Sequence, residues 1–259
     1  MIENTCIIII TQLENLTDDK KQSFEQCLKI FGNKYQINVY IPDNISTKFY
    51  EQYDQIKIIK LNSKHFESIY EYNNLICSLS FWKSLSNFKY VLIYQLDCWV
   101  YIDNLEYFVN LNYDYYGSPW PMWNNAIGNG GFSLRKVNKI IEILEKYSYQ
   151  KDYPNYDFPE DGWISYKLEL NKCPFEIAAN FAIEIPSTEI LNTINSFPMG
   201  LHGRYLKKLW GNPEKYFLYK NKVLNNGFIP YGDKLIDDFN SGEKKFLNIP
   251  CDEILNLEL

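Results

Sequence analysis

Asp97 stands just beyond an apolar run, Tyr90-Val91-Leu92-Ile93-Tyr94, where a carboxylate can do chemistry. Nearly continuous apolar runs of this length are typical of a central strand covered on both faces. Open α/β sheets bind ligands at the carboxyl ends of such strands, and an acid there can hold a hard divalent cation that neutralises a diphosphate. An acid after a strand can also cap the next turn, as Asp103 can, so both interpretations stay open.

The glycine-rich segment Gly128-Asn129-Gly130-Gly131 is a second candidate. No Gly-Lys-Ser/Thr follows it, so it is not a Walker loop, and it lacks the spacing of the dinucleotide fingerprint. Glycines allow the backbone to approach a bulky ligand closely, and the Asn129 amide can bind hydroxyl groups. A simple hairpin turn is the alternative.

Glu160 and Asp161 follow Pro159 at the predicted start of a helix. Carboxylates in a first turn commonly interact with the helix dipole. One of them can instead act as a general base toward an attacking hydroxyl group, a contribution of about 10²–10⁴-fold in rate. Adjacent residues point in different directions, which argues against a glycosidase pair, whose carboxyl groups face each other about 5 to 9 Å apart.

His202 lies in Gly200-Leu201-His202-Gly203-Arg204, with Lys207 and Lys208 close behind. A histidine between glycines and near several cations is a candidate for a metal and phosphate site. A purely structural histidine is the alternative. We predict that structural role for His65, the other histidine of the chain.

The elements that position these residues alternate between β-branched runs and helical patterns, which predicts a mostly parallel sheet flanked by helices in one α/β domain. The segments predicted as strands are Cys6–Thr11, Ile37–Ile41, Ile56–Leu61 and Tyr90–Tyr94. The first predicted helix begins after Thr17 and ends at Gly32, and the second spans His65–Leu85. A third has Val137, Ile140, Ile141 and Leu144 inward, a fourth begins at Pro159, and a polar loop is predicted for residues 150–158.

Composition excludes some classes of function. The 259 residues are 46% hydrophobic with a net charge of -6, so a core can form and nucleic-acid binding is disfavoured. The six cysteines are scattered without a Cys-x-x-Cys pair, which predicts reduced thiols. We see no leader pattern and no span long enough for a bilayer, so we expect a soluble cytoplasmic protein, at most peripheral at the inner face of the membrane.

Four segments, in their order and spacing, resemble a family of bacterial domains formerly of unknown function. Those domains are similar to GT-A glycosyltransferases and are often associated with surface-polysaccharide genes. The resemblance covers roughly residues 50 to 205 and is carried by Ile93-Tyr94-Gln95-Leu96-Asp97-Cys98-Trp99-Val100, Tyr113-Asp114-Tyr115-Tyr116-Gly117-Ser118-Pro119-Trp120, Gly128 to Arg135, and Pro159 to Trp163.

The resemblance implies a GT-A-like fold and a Mn²⁺ or Mg²⁺ cofactor. Asp97 matches the last acid of the Asp-x-Asp motif that binds the metal and the donor diphosphate, while Gln95 stands where the first acid would be. His202, with Lys208 and Trp210 after it, resembles the late metal-binding histidine of several such families. The Gly-Gly-Phe-Ser block before an acidic helix start is similar to inverting galactosyltransferases, which implies Asp161 as the base and Glu160 as an acceptor-orienting neighbour.

The expected activity is therefore metal-dependent transfer of a hexose from a nucleoside diphosphate sugar such as a UDP-sugar to a carbohydrate hydroxyl in cell-surface glycan synthesis. Inversion of the anomeric carbon is expected if Asp161 acts as the base, and retention is the alternative. Residues 1–110 are expected to bind the nucleotide sugar and residues 111–259 the glycan acceptor. The residues expected to bind donor or acceptor are Gln95, Trp120, Asn129, Gly130, Gly131, Arg204, Lys207 and Lys208.

Two other classes of function are considered from the residues. Gln95 in place of an acid motivates a non-catalytic nucleotide-sugar or carbohydrate-binding domain with a degenerate site. A sugar nucleotidyltransferase would carry a glycine-rich, basic loop after the first strand, but this chain has Gln12-Leu13-Glu14-Asn15 there, which disfavours that class.

Overall fold

The computed structural model describes residues 4–124, 126–153, 159–167 and 169–240, without the side chains of residues 166, 167, 204, 205 and 237–240. Its strands are β1 (Thr5–Ile10), β2 (Gln36–Pro42), β3 (Ile56–Leu61), β4 (Tyr90–Tyr94), β5 (Cys98–Val100), β6 (Tyr115–Tyr116), β7 (Pro119–Trp120), β8 (Ala126–Ile127), β9 (Phe132–Lys136), β10 (Ala182–Ile183) and β11 (Gly200–His202). Its α-helices are α1 (Asp18–Phe31), α2 (Ile69–Ile76), α3 (Leu79–Ser84), α4 (Leu105–Leu111), α5 (Val137–Lys146), α6 (Tyr149–Asp152), α7 (Glu160–Lys167), α8 (Phe175–Phe181), α9 (Thr188–Thr193), α10 (Pro213–Asn226) and α11 (Tyr231–Asn240).

The central sheet has six strands in the order β3-β2-β1-β4-β9-β6. The first four are parallel to one another, and Ile7 of β1 lies between Ile37 of β2 and Leu92 of β4. β9 runs antiparallel to both β4 and β6. This mixed, mainly parallel sheet with flanking helices confirms the predicted fold class.

The predicted first helix forms as α1, with Asp18 and Asp19 in its first turn and Phe24 among its buried residues. Thr17 occupies the predicted N-cap position, but its hydroxyl donates to the Asp19 carboxylate at 2.6 Å instead of accepting from a backbone N–H. Acids at this end of a helix are favourable because the dipole is positive there. The apolar face of α1 is therefore buried as predicted, but Thr17 does not cap the helix with its side chain.

The single long helix predicted over His65–Leu85 is wrong. The segment forms a 3₁₀ helix at Ser63–Phe66, followed by α2 and α3. Ser68 and Ser78 interrupt it because each side chain accepts the N–H of a residue three positions later and so starts a new helix. The apolar spacing continues through both breaks and favours one long helix, but the two serine caps divide the segment.

The second half differs from the prediction in smaller ways. In α5 Val137, Ile140 and Leu144 are buried as predicted, but the fourth buried residue is Ile143, while Ile141 is only half-buried. The predicted polar loop of residues 150–158 begins inside α6, and residues 154–158 lie outside the described ranges. No helix in the described part of the chain is long and apolar enough to cross a membrane.

Five cysteines are free thiols in the described structure, four of them buried; Cys251 lies outside the described ranges.

A second sheet carries the late histidine. It has the order β10-β11-β5, with β11 parallel to β10 and antiparallel to β5. A separate apolar cluster covers it, in which Leu201 of β11 packs with residues of α9 and α10 such as Leu191 and Tyr219. The ring of Trp99 in β5 stacks on Trp210 with centroids 5.3 Å apart. This cluster fixes β11 against the strand that follows Asp97.

Ile93 tests the central strand, since it is 1% exposed in the middle of β4. Ile93→Ala is expected to lower the free energy of unfolding by about 2–5 kcal/mol, and Ile93→Val by about 0.5–1.5 kcal/mol, because each leaves a cavity of graded size. Urea denaturation measures both. Ile229→Ala, at a side chain 56% exposed, serves as the control and should change the value by no more than about 0.5 kcal/mol. Equal effects at both positions would contradict the placement of β4.

Candidate functional site

Asp97 and His202 lie side by side at the carboxyl end of β4. Asp97 Oδ1 is 3.5 Å from His202 Nε2. The antiparallel register of β5 and β11 places His202 opposite Cys98, the residue after Asp97. The turn that follows requires Gly203, whose φ is 107° and whose N–H donates to the Asp97 carbonyl oxygen at 3.1 Å. Asp103, by contrast, caps the turn before α4, because its carboxylate accepts from the N–H of Leu105.

The donor set of this site fits a divalent metal. Asp97, Cys98 and His202 offer ligand atoms that all lie within 4.8 Å of one another. The Cys98 thiol is buried and donates to the Gly131 carbonyl oxygen at 3.3 Å, which leaves Asp97 and His202 as the pair facing a metal. A carboxylate oxygen with an imidazole nitrogen suits a transition metal such as Mn²⁺ better than Mg²⁺, which prefers oxygen ligands.

Asp97 and His202 each stabilise the charged form of the other. Burial alone would lower the pKa of His202, but the carboxylates of Asp97 and Glu184 outweigh it and raise that pKa to about 10. Burial would raise the pKa of Asp97, yet His202 holds it below its ordinary value. The two side chains attract each other as an ion pair, and a metal that binds both has to displace the imidazole proton.

Gln95 completes this group from the end of β4. Its Oε1 lies 3.3 Å from His202 Nε2, and its amide donates to the Tyr72 hydroxyl at 3.0 Å. Its backbone N–H donates to the Gly131 carbonyl oxygen at 2.8 Å. A Cβ at position 131 would lie 2.2 Å from His202 Nε2, so only glycine fits here. The glycine-rich segment is therefore packed against the histidine.

Asn129 holds the glycine-rich segment in place. The segment is not the turn of a hairpin, because the strands on either side of it do not pair with each other: β8 pairs with β7, and β9 pairs with β4 and β6. Asn129 adopts a left-handed conformation with φ 66°, and its Oδ1 accepts from the N–H groups of Gly131 and Phe132. The residue is fully buried, and within the described structure its Nδ2 has no hydrogen-bond partner. The amide oxygen of Asn129 therefore stabilises the conformation of the loop.

Glu160, at the start of α7, is buried, with 3% of its surface exposed. Its carboxylate forms two hydrogen bonds of 3.1 Å to the guanidinium of Arg135, and both side chains are almost fully buried. Arg135 also lies over the Tyr115 ring, 5.3 Å from its centroid. A Cβ at Gly130 would lie 2.3 Å from Glu160 Oε1. The pair therefore ties α7 to β9 and to the glycine-rich segment.

The next residue, Asp161, has a carboxylate that is held by backbone N–H groups. Its Oδ2 accepts from the Gly130 N–H at 2.8 Å and its Oδ1 from the Gly162 N–H at 2.7 Å. Burial, followed by the charges of Glu160 and Glu184, raises the pKa of Asp161 to about 7. A carboxyl group poised near neutral pH is what general-base catalysis uses best.

Two cavities flank His202. The first, the sheet-edge cleft, has a volume of about 680 Å³ and opens where β1 and β4 end, with Gln12, Lys20, Gln95, Asp97 and Lys207 on its walls.

Lys207 pairs with Asp19 of α1 across this cleft. Lys207 and Lys208 lie in a 3₁₀ helix at Arg204–Leu209, in which Lys208 is half-buried and does not line the cleft. The side chain of Arg204 lies outside the described residues. Of the three predicted cations, the structure therefore brings Lys207 to the site.

The second, the tryptophan cavity, has a volume of about 860 Å³ and mainly apolar walls. Trp120 and Trp123 lie on it with ring centroids 5.1 Å apart, and Asp161 and Glu184 supply its carboxylates. Apolar cavities with a few placed polar groups are the usual form of a small-molecule site. His202 joins the two cavities, because it contacts Asp97 of the cleft and, at 3.2 Å, Glu184 of the cavity.

Sequence reasoning missed Glu184 and Lys20. Glu184 is an acid inside the apolar run Ala182-Ile183-Glu184-Ile185, which is a signal that could have singled it out. Lys20 is an ordinary helix residue by its pattern, and only the fold brings it to the cleft.

The comparisons with known proteins identify the family and the fold of the chain. Residues 55–202, more than half of the chain, match a family described as "Protein of unknown function (DUF5672)". The chain belongs to this family. The match covers nearly the same stretch as the resemblance found in the four sequence segments, which is thereby confirmed. No curated protein sequence is significantly similar to this DUF5672 protein.

Solved glycosyltransferases share its fold at low identity. The galactosyltransferase LgtC, solved with donor and acceptor sugar analogues, is 12% identical with a TM-score of 0.54, over 91% of this chain and 95% of LgtC. Core-mannan synthase A from Aspergillus fumigatus, in a Mn/GDP form, is 9% identical with a TM-score of 0.51, over 67% and 73%. Mouse xyloside xylosyltransferase 1, in its apo form, is 9% identical with a TM-score of 0.50, over 77% and 97%. The chain therefore has the GT-A glycosyltransferase fold.

The Arg135–Glu160 pair gives a test of the site's framework. Arg135→Met or Glu160→Leu alone is expected to lower the free energy of unfolding by about 3–5 kcal/mol, because each leaves a buried charge unpaired. The double variant should lose much less than the sum of the two. Urea denaturation measures all three. Glu145→Gln breaks the exposed pair with Lys83 and should leave stability nearly unchanged; additive losses at Arg135 and Glu160 would contradict the buried pair.

Proposed function

We propose that this protein is a metal-dependent glycosyltransferase that moves a hexose from a nucleoside diphosphate sugar to a carbohydrate hydroxyl. The contact between Asp97 and His202 supports this most directly, because it sets a metal-binding pair between two cavities at the carboxyl edge of a GT-A sheet. UDP as the nucleotide and cell-surface glycan synthesis as the pathway are further parts of the proposal, supported by the sequence resemblance.

The sheet-edge cleft is the proposed donor site. A metal held by Asp97 and His202 would supply a Lewis acid that neutralises charge on a departing diphosphate. Lys20 and Lys207 line the same cleft and add positive charge for phosphate oxygens. Gln12, after β1, offers an amide to the nucleoside. Most of these residues lie in the first 110, which favours that half as the nucleotide-binding part.

The tryptophan cavity is the proposed acceptor site. Aromatic rings such as those of Trp120 and Trp123 pack against the apolar C–H face of a sugar, while a carboxylate binds its hydroxyls. Asp161 lies on this cavity with a pKa of about 7, so it can accept the proton of the attacking hydroxyl. In this proposal Glu160 holds α7 through Arg135 and does not touch the acceptor. Attack assisted by a base in this way inverts the anomeric carbon.

Asp97→Asn is expected to abolish metal-dependent donor binding, because the site loses its only described carboxylate ligand to the metal. The measurement is thermal unfolding across a panel of nucleotide sugars with and without Mn²⁺, since a ligand of the folded state raises the melting temperature. Asp103→Asn is the matched control, because Asp103 caps a turn, and it should keep the wild-type response.

Assays of sugar transfer and donor hydrolysis over the same panel of nucleotide sugars distinguish a glycosyltransferase from a non-catalytic binding domain. Metal-dependent binding of a nucleotide sugar with neither transfer nor donor hydrolysis would favour the non-catalytic binding domain, which Gln95 motivates. A wild-type protein without any Mn²⁺-dependent shift would overturn both.

Asp161 makes the rate depend on pH. We expect kcat/KM to rise as the pH approaches about 7, where Asp161 loses its proton, and to level off above it. Asp161→Asn should lower kcat by about 10²–10⁴-fold and remove this limb of the profile. Rates over pH 5 to 9 and the anomeric configuration of the product, read by NMR, are the measurements. Near wild-type turnover of the variant, or a retained configuration, would remove the base assignment.

A further inference from the structure

Glu184 occupies the position between the metal pair and the tryptophan cavity. It directly follows β10, and its backbone N–H donates to the Ser118 hydroxyl at 2.8 Å. Its side chain is 20% exposed, on the wall of the tryptophan cavity. The carboxylate is therefore held by its own backbone at the junction of the two cavities.

Both oxygens of this carboxylate are used. Oε2 accepts from the indole N–H of Trp120 at 2.6 Å, and Oε1 lies 3.2 Å from His202 Nδ1. Because the indole nitrogen is a donor only, the short bond holds Oε2 against Trp120. The other oxygen, Oε1, lies against the imidazole ring, so the two contacts together orient the carboxylate.

The contact decides which imidazole nitrogen is available to a metal. A carboxylate beside Nδ1 requires a proton on that nitrogen. The other nitrogen, Nε2, points at Asp97 Oδ1 and Gln95 Oε1, where the metal would lie. Carboxylates that bind the remote nitrogen of a metal-bound histidine commonly orient the ring and strengthen the ligand.

We propose that Glu184 is a positioning residue for the metal ligand His202, braced by Trp120. The inference rests on the proposed function, because it takes Asp97 and His202 as the metal pair. It adds a residue that touches neither the metal nor the nucleotide and sets how tightly the metal binds. The same carboxylate also binds Trp120, so Glu184 orients both the metal ligand and a residue on the wall of the tryptophan cavity.

The test is titration of the full-length protein with Mn²⁺ alone, followed by the electron paramagnetic resonance signal of the free ion. Glu184→Gln is expected to weaken Mn²⁺ binding by about 10- to 100-fold, because an amide cannot accept from both His202 and Trp120. Trp120→Phe keeps the carboxylate and removes one donor, so its loss should be smaller. Glu176→Gln in α8 removes the same charge away from this network and should bind Mn²⁺ as the wild type does.

A double-mutant cycle distinguishes positioning from a general loss of structure. If Glu184 acts through His202, Glu184→Gln should have no further effect on Mn²⁺ affinity in a His202→Ala protein. Thermal unfolding without metal shows whether each variant is folded. An equal loss in both backgrounds, or wild-type affinity in Glu184→Gln, would overturn the inference and leave the proposed function standing. A wild-type protein that binds no Mn²⁺ would overturn both.

A second readout needs no variant at position 184. The chain has two histidines, so ¹⁵N spectra of the Zn²⁺-loaded protein contain two imidazole rings, and His65→Gln assigns them. We expect His202 to carry a proton on Nδ1 and the metal on Nε2. A metal on Nδ1 would overturn the inference even if Glu184→Gln failed to fold.

Discussion

The ion pair of Arg135 and Glu160 is the constraint on which the rest of the site depends. A buried guanidinium left without its carboxylate is strongly destabilising, so α7 has to begin where Glu160 can reach Arg135 of β9. That one requirement places Asp161 against the Gly130 N–H and turns it toward the tryptophan cavity. It also excludes a side chain at Gly130. The two neighbouring acids therefore differ in position: Glu160 is buried in an ion pair, and Asp161 is half-buried on the wall of the tryptophan cavity.

Sequence patterns predicted the framework better than the contacts within it. The strand Tyr90–Tyr94 was predicted to the residue, since an uninterrupted apolar run has few alternatives to a buried strand. The break at Ser78 was missed, because apolar spacing at three or four residues continues through a serine cap without a visible change. Asp97 could be proposed from the sequence because its position at the end of a strand is a local feature. Glu184 carries only the signal of an acid in an apolar run, and its contacts with Trp120 and His202, which are distant in the sequence, could not be predicted.

His202 is where the two halves of the site meet, and two short strands determine this. β11 has only three residues, so its register against β5 is held by the apolar cluster behind it and by the Gly203 turn. In return, the imidazole lies within reach of Asp97 on one side and Glu184 on the other. A ligand in the sheet-edge cleft and one in the tryptophan cavity would approach the same ring from opposite sides. The geometry suits a reaction in which a group passes between the two cavities.

The glutamine at position 95 affects the charge around His202. A carboxylate there would lie where Gln95 Oε1 now lies, 3.3 Å from His202 Nε2, and would join Asp97 and Glu184 in holding an imidazolium. Such a carboxylate would be a second anionic ligand for a metal beside Asp97, whereas Glu184 contacts the other nitrogen of the ring. The neutral amide of Gln95 lacks that charge and donates to the Tyr72 hydroxyl. With a single anionic ligand from Asp97, much of the metal's charge is left for a diphosphate to neutralise, so metal and donor are expected to bind as a unit.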